Sequence, residues 1–374
     1  MRLLSFATLV AAAASLVSAA VPTSKRFDLT KPSYDLFRSK PLHDDTVQQG
    51  FAFDNKNRRL FVSQRLNGAS AASGDLCITQ LDFSGKKLGQ MHLKGFGHGV
   101  SFGAQGDGSA TYLWTEVDAN SNGYGARLAR FKFVNGATIT KASSSLKKFT
   151  PVKAGTEHTC AVDTVNNRLV VRYHTSGGKR IAVFDLAKAT KGDFSAPLVD
   201  FKQPLPKTKG KNFQGYTAYG QYLYLLWGDS YDVSKELNSQ VASVDMNTGK
   251  VVQGPVITRA GSTLSFREPE GMAIYQTAAG QVRLFLGFAS GKAGDRRSNL
   301  MEGRPDAPSL GGPSRPWCRC ECTAAFCEWQ KYRCPFLIDY RHTVGWLASI
   351  WSKNEYEDIR TSVPHSIWNP SVHV

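Results

Sequence analysis

Apolar and polar residues alternate with period two along most of this chain, in short runs broken by Gly, Asn, Asp and Ser, a pattern that predicts strands and hairpins rather than helices. Five of these runs open with the same device, a polar residue directly before a short apolar stretch that begins small and ends aromatic or acidic. The copies are Gln49-Gly-Phe-Ala-Phe-Asp54, His98-Gly-Val-Ser-Phe-Gly103, His158-Thr-Cys-Ala-Val-Asp163, Gln214-Gly-Tyr-Thr-Ala-Tyr219 and Glu270-Gly-Met-Ala-Ile-Tyr275. Their leading residues lie 49, 60, 56 and 56 positions apart. That is the length of one four-stranded sheet with its loops, the signature of a radial β-propeller.

Each copy continues in the same order. A turn rich in Asp, Asn and Gly leads to a second strand built around Leu, over residues 59–64, 112–116, 168–173, 222–227 and 283–288. Third strands follow over residues 76–83, 127–133, 180–186 and 240–246, and Ser84-Gly85-Lys86 and Asn247-Thr248-Gly249-Lys250 turn the chain into fourth strands. The predicted fold is all-β, a five-bladed β-propeller. The fifth copy lacks an outer strand after residues 291–300, and residues 27–42, which precede the first copy, are expected to supply it. Such pairing of the two ends closes the ring and leaves no sheet edge at the seam.

The ends differ from the blades. Met1-Arg2, the apolar run 3–20 and its exit Val17-Ser-Ala-Ala20 read as a secretory signal peptide, residues 1–20, too short for a membrane span. Residues 21–26 then form a candidate pro-peptide ending in the dibasic Lys25-Arg26, and residues 27–300 form the propeller. Residues 301–374 hold 5 of the 7 cysteines and 5 of the 7 tryptophans, after a Pro-rich opening. Cys318, Cys320, Cys322, Cys327 and Cys334 lack the paired spacing of a zinc site and are odd in number for disulfides. This Pro/Cys/Trp-rich tail reads as a gene-model artefact rather than an evolved domain. In the ring itself Cys77 and Cys160 fall on non-neighbouring blades and are expected to be separately buried.

The chain carries a formal charge of +16, and residues 27–300 hold 35 lysines and arginines against 22 acidic residues. In a secreted protein such an excess points to anionic partners: uronic-acid polysaccharides, phosphate-bearing wall polymers or anionic cell surfaces. No nucleic-acid motif is present, and a monomer without a cofactor is expected. No Asn-x-Ser/Thr acceptor for N-glycans occurs.

In a blade the first strand lines the central channel and the second returns beside it. Gln49, His98, His158, Gln214 and Glu270 are therefore expected to ring one mouth of the channel, with Gln64, Glu116, Arg172, Tyr173, Trp227 and Asp229 around them. The polar groups would orient a ligand while Trp227 and Tyr216 stack on sugar faces. His158, beside Glu157, is expected to have its pKa raised by that carboxylate. The ring could hold a divalent cation, although its mixed donors name no metal.

The wording of the repeats, in Gly74-Asp-Leu-Cys-Ile-Thr-Gln-Leu-Asp-Phe83, Gly95-Phe-Gly-His-Gly-Val100, Phe213-Gln-Gly-Tyr216, Phe266-Arg-Glu-Pro-Glu-Gly-Met272 and Gly287-Phe-Ala-Ser-Gly291, resembles a family. It is that of the secreted teichoic acid biosynthesis protein C-like proteins of actinomycetes and fungi, related to the propeller platform of phage receptor-binding proteins. The resemblance covers about residues 40 to 300 and implies a five-bladed propeller and, for the phage relatives, binding of cell-wall glycopolymers.

Two functions follow. The first is a secreted module that binds a cell-wall or extracellular glycan at the channel mouth. The second is a carbohydrate-active enzyme on an anionic polysaccharide. A glycoside hydrolase would use Glu116 and Glu270 as its carboxylate pair. A polysaccharide lyase would use Arg172 to neutralise a uronate, His98 or His158 as base and Tyr173 as acid.

Overall fold

Each expected repeat folds as one antiparallel sheet in the computed structural model, which describes residues 21–205 and 211–303. The leader expected over residues 1–20 and the tail from residue 304 lie outside the described residues. Strand β1 (Ser33–Pro41) comes first in the chain but belongs to the last blade. Blade one is β2 (Gln48–Asp54), β3 (Arg59–Arg65), β4 (Leu76–Leu81) and β5 (Lys87–Lys94). Blade two starts with β6 (Gly103–Asp107), β7 (Ala110–Ala119) and β8 (Gly125–Lys132). The chain then lays β9 (Thr138–Thr140) parallel to β5 before β10 (Lys147–Phe149) completes blade two.

Blade three is β11 (Thr156–Asp163), β12 (Arg168–Thr175), β13 (Gly178–Asp185) and β14 (Val199–Lys202), with the short helix α1 (Leu186–Lys191) before its last strand. The Asp185 carboxylate caps this helix by accepting from the Lys188 amide at 2.9 Å. Blade four is β15 (Phe213–Tyr219), β16 (Tyr222–Trp227), β17 (Gln240–Asp245) and β18 (Lys250–Ile257). Blade five is β19 (Glu268–Gln276), β20 (Val282–Lys292) and β21 (Asp295–Gly303), and β1 fills its outer place. Tyr34 pairs with Glu302 and Phe37 with Leu300, so the N-terminal strand closes the ring. β21 continues to Gly303, past the boundary expected at Leu300.

Five apolar clusters among the described residues fill the gaps between successive blades. Trp114, Leu128, Leu169 and Phe184 pack between blades two and three, and Phe37, Phe53, Phe285 and Leu300 pack across the seam between blades five and one. Burial at these interfaces, at about 25 cal/mol per Å² of apolar surface, is what a ring of otherwise separate sheets gains by closing. Cys77 and Cys160 are free and buried in separate places. Residues 21–26 lie against blade four: Val21 is buried, its amide donates to Asn247 Oδ1 at 2.9 Å, and Asn247 Nδ2 donates to the Val21 carbonyl at 2.8 Å.

The inner strands converge on glycine. A Cβ on Gly271 would stand 2.7 Å from Gly50 Cα, and one on Gly215 would stand 3.0 Å from Gly271 Cα. Blade two departs from the expected pattern, since residues 98–102 are not strand and β6 begins only at Gly103. The amide that Gly99 would give to a neighbouring strand goes instead to Glu116 Oε1 at 2.8 Å. The glycines at 95, 97 and 99 let the chain wrap that carboxylate; a Cβ on Gly97 would fall 2.3 Å from Glu116 Cδ.

Candidate functional site

At the mouth where the inner strands begin lies a cavity of about 750 Å³, within the range of small-ligand sites. Gln49, His98, Gln214 and Glu270 line it as expected. His158 does not, and the reason is backbone geometry. Blades two, four and five place a positive-φ glycine after the ring residue, Gly99, Gly215 and Gly271, whereas blade three has Thr159 there. In blade three the irregularity spans Glu157 and His158, and Glu157 takes φ +52°. Glu157 then faces the cavity while His158 turns into the blade. Its Nδ1 lies 2.8 Å from the Ala126 carbonyl and its ring stacks along Tyr173. Burial lowers the His158 pKa, against the rise expected from Glu157, whose carboxylate instead meets Lys179 and His174.

The expected second circle is largely internal. Tyr216 is 0% exposed; its hydroxyl donates to the Val170 carbonyl at 3.3 Å and accepts from the Arg172 amide at 3.1 Å. Trp227 is 4% exposed and packs edge-on to Phe213 in the core between blades three and four. Neither can stack on a sugar. Tyr173 is buried with its hydroxyl donating to Asp200 at 2.7 Å, Gln64 holds the Asp44 and Thr46 carbonyls, and Asp229 lies off the wall, bound to Lys211 and to the lining residue Asn212. Glu116 is sealed beneath His98, accepting from Gly99 and Gly125 amides, and burial pushes its carboxyl up to about 7. These side chains sit on the strand faces that meet the next blade, so the alternation that builds the core also withdraws them from the mouth.

The wall is completed by residues at strand ends and in the loops beyond the second strands, which sequence reasoning missed: Arg65 at the end of β3, Asp75 from the β3–β4 loop, Tyr124 from the β7–β8 loop, Lys179 at the start of β13 and Arg296 at the start of β21. Tyr124 lay in the turn Asn120-Ser-Asn-Gly-Tyr-Gly125, where an aromatic ring among polar turn residues was the available signal. Its ring stacks on His98 with centroids 5.1 Å apart and planes at 16°. Arg172 is the one member of the second circle that reaches the cavity. Gln203 accepts from its Nε at 2.7 Å, and its guanidinium lies 4.0 Å above the Phe213 ring.

The electrostatics are mixed rather than basic. Arg65, Arg172, Lys179 and Arg296 face Asp45, Asp75, Glu157, Glu268 and Glu270. Lys179 is paired with Glu157, whereas Arg65 and Arg172 make no ion pair among the described residues. Burial, and then repulsion from Glu268, hold the Glu270 carboxyl well above its usual range, and its Oε2 has no hydrogen-bond partner. Burial and the Arg65 charge depress the His98 pKa, so its imidazole is neutral near pH 7. No helix among the described residues is long and apolar enough to cross a membrane.

Comparison with known proteins accords with this architecture. The protein named major teichoic acid biosynthesis protein C of Bacillus subtilis (strain 168) is 29% identical over 286 residues, covering 73% of this chain and 63% of that relative's length. The tail fiber of Staphylococcus aureus phage P68 superposes with a TM-score of 0.59 at 19% identity, over 75% of this chain and 53% of the fiber, a likeness of fold. The family described as the phage 5-bladed beta propeller receptor binding platform domain matches residues 47–302, the whole ring apart from its closing strand. This chain belongs to that phage five-bladed β-propeller receptor-binding platform family.

Proposed function

We propose that this protein is a secreted propeller that captures a cell-wall or extracellular glycan at the channel mouth, and that it binds without turnover. The observation that carries this reading is the composition of the cavity wall. The braced Arg172 offers a fixed fork to a phosphate or carboxylate on a glycan. The His98–Tyr124 pair offers a flat ring surface, and Gln49, Gln214 and Glu270 offer hydrogen-bonding groups for hydroxyls. The family's description as a receptor-binding platform and the Bacillus relative's teichoic acid name support a ligand on a bacterial surface. Each catalytic alternative loses a part, because the hydrolase's Glu116 and the lyase's Tyr173 are buried and His158 is turned away, while Glu270, His98 and Arg172 remain on the wall.

The test is calorimetric binding to a panel of neutral, uronate-bearing and phosphate-bearing wall polymers, with reducing ends and unsaturated uronates assayed in parallel. Arg172→Met and Tyr124→Ala are each expected to weaken binding at least tenfold, about 1.4 kcal/mol. Trp227→Phe changes the core and should leave affinity unchanged. Product release abolished by Glu270→Gln would overturn the binding reading in favour of an enzyme.

A further inference from the structure

Away from the mouth, the β1–β2 connection carries the chain from the outer strand of blade five to the inner strand of blade one. Leu42 is buried there and anchors the crossing. The next two residues, His43 and Asp44, meet Cys77 on β4 and His92 on β5, which stand directly opposite one another in the sheet. One donor atom from each of the four lies within 4.8 Å of every other.

The donors are largely uncommitted. His92 Nε2 is buried without a hydrogen-bond partner, a condition that normally calls for a missing ligand, ion or water. Asp44 is 5% exposed; its Oδ2 accepts from the Asn67 amide at 2.7 Å, while Oδ1 is 4.0 Å from His43 Nε2, too far for a hydrogen bond. The Cys77 thiol is fully buried and in no disulfide. A metal takes a cysteine ligand as its thiolate. His43 is exposed and gives access from solvent.

We propose that His43, Asp44, Cys77 and His92 form a transition-metal site, with zinc as its ion, that clips the ring-closing segment onto blade one. One thiolate, two imidazoles and one carboxylate make a borderline-soft set suited to tetrahedral zinc and unsuited to calcium or magnesium. Bond lengths of about 2.0 Å to nitrogen and 2.3 Å to sulfur require donors about 3.3–3.5 Å apart, so binding draws the cluster in by about 1 Å. The exposed His43 ring can supply that movement. The metal would tie residues 43 and 44 to two strands of blade one, at the seam where β1 closes the ring.

The test uses the full chain, stripped with a chelator and reloaded with Co²⁺ or Zn²⁺, with metal counted per chain. The expected result is thiolate-to-cobalt charge transfer with intense tetrahedral d–d bands. Cys77→Ser should abolish the Cys77 share of the charge transfer, and Cys77→Ser and His92→Gln should each hold one metal equivalent fewer than the unsubstituted chain, while Cys160→Ser holds as many. Counting the difference separates this site from the tail cysteines. Zinc should also raise the melting temperature of the stripped protein but not of His92→Gln, whose half-buried position spares the fold. Equal metal content in His92→Gln and the unsubstituted chain, or an equal melting shift, would overturn the proposal.

Discussion

Glu116 anchors the loop that presents His98, and replacing it by Gln separates two opposing effects. Its Oε1 accepts the Gly99 amide at 2.8 Å and its Oε2 the Gly125 amide at 2.6 Å, in a place closed to water. Gln keeps the shape but turns an NH₂ toward one of these donors. One backbone amide then loses its acceptor, a cost of about 1–3 kcal/mol. The second effect depends on pH. Burial raises the Glu116 carboxyl from 4.5 to about 7, so between those values the folded chain holds a proton that the unfolded chain has released. The group's contribution is therefore complete below pH 4.5 and declines as pH rises to about 7, by about 3 kcal/mol in total. Gln has no such decline. Glu116→Gln should thus cost most near pH 4.5, and the difference should shrink to near zero or reverse by about pH 7.5. Urea unfolding of both proteins across this range measures it. A stability gap that stays constant or widens with pH would refute the placement of a strained, buried carboxyl beneath His98.

Two further expectations concern the ring. Gly271→Ala places a Cβ 2.7 Å from Gly50 Cα at a residue with φ +87°, so overpacking and backbone strain together should cost about 2–4 kcal/mol in chemical denaturation; unchanged stability would count against the close approach of blades five and one. Deleting residues 27–42 removes the buried Phe27, Phe37 and Leu42 and bares the β21 edge, a loss of about 5–9 kcal/mol in a fold whose total is about 5–15. Cooperative melting should disappear, and a calorimetric transition like that of the intact chain would show that β1 does not close the ring.

The period-two alternation and the five spaced copies determined the blades, their order and the mouth, because strand pairing within a blade is local and repeats in the chain. Closure by residues 27–42 was legible for the same reason: a missing outer strand and a spare one stood at opposite ends. The ring residues Gln49, His98, Gln214 and Glu270 followed from register alone. What only the tertiary structure decided was which side chains turn toward the ligand. In blade three the irregularity at Glu157 and His158 exchanged His158 for Glu157, and inter-blade packing took Tyr216, Trp227 and Tyr173 into the core. A loop and strand ends without a repeating pattern brought Tyr124, Arg65 and Arg296 to the wall, and the ring seam set His43 and Asp44 beside Cys77 and His92. A local pattern reports the face a residue occupies in its own sheet; the next blade determines whether that face is core or cavity.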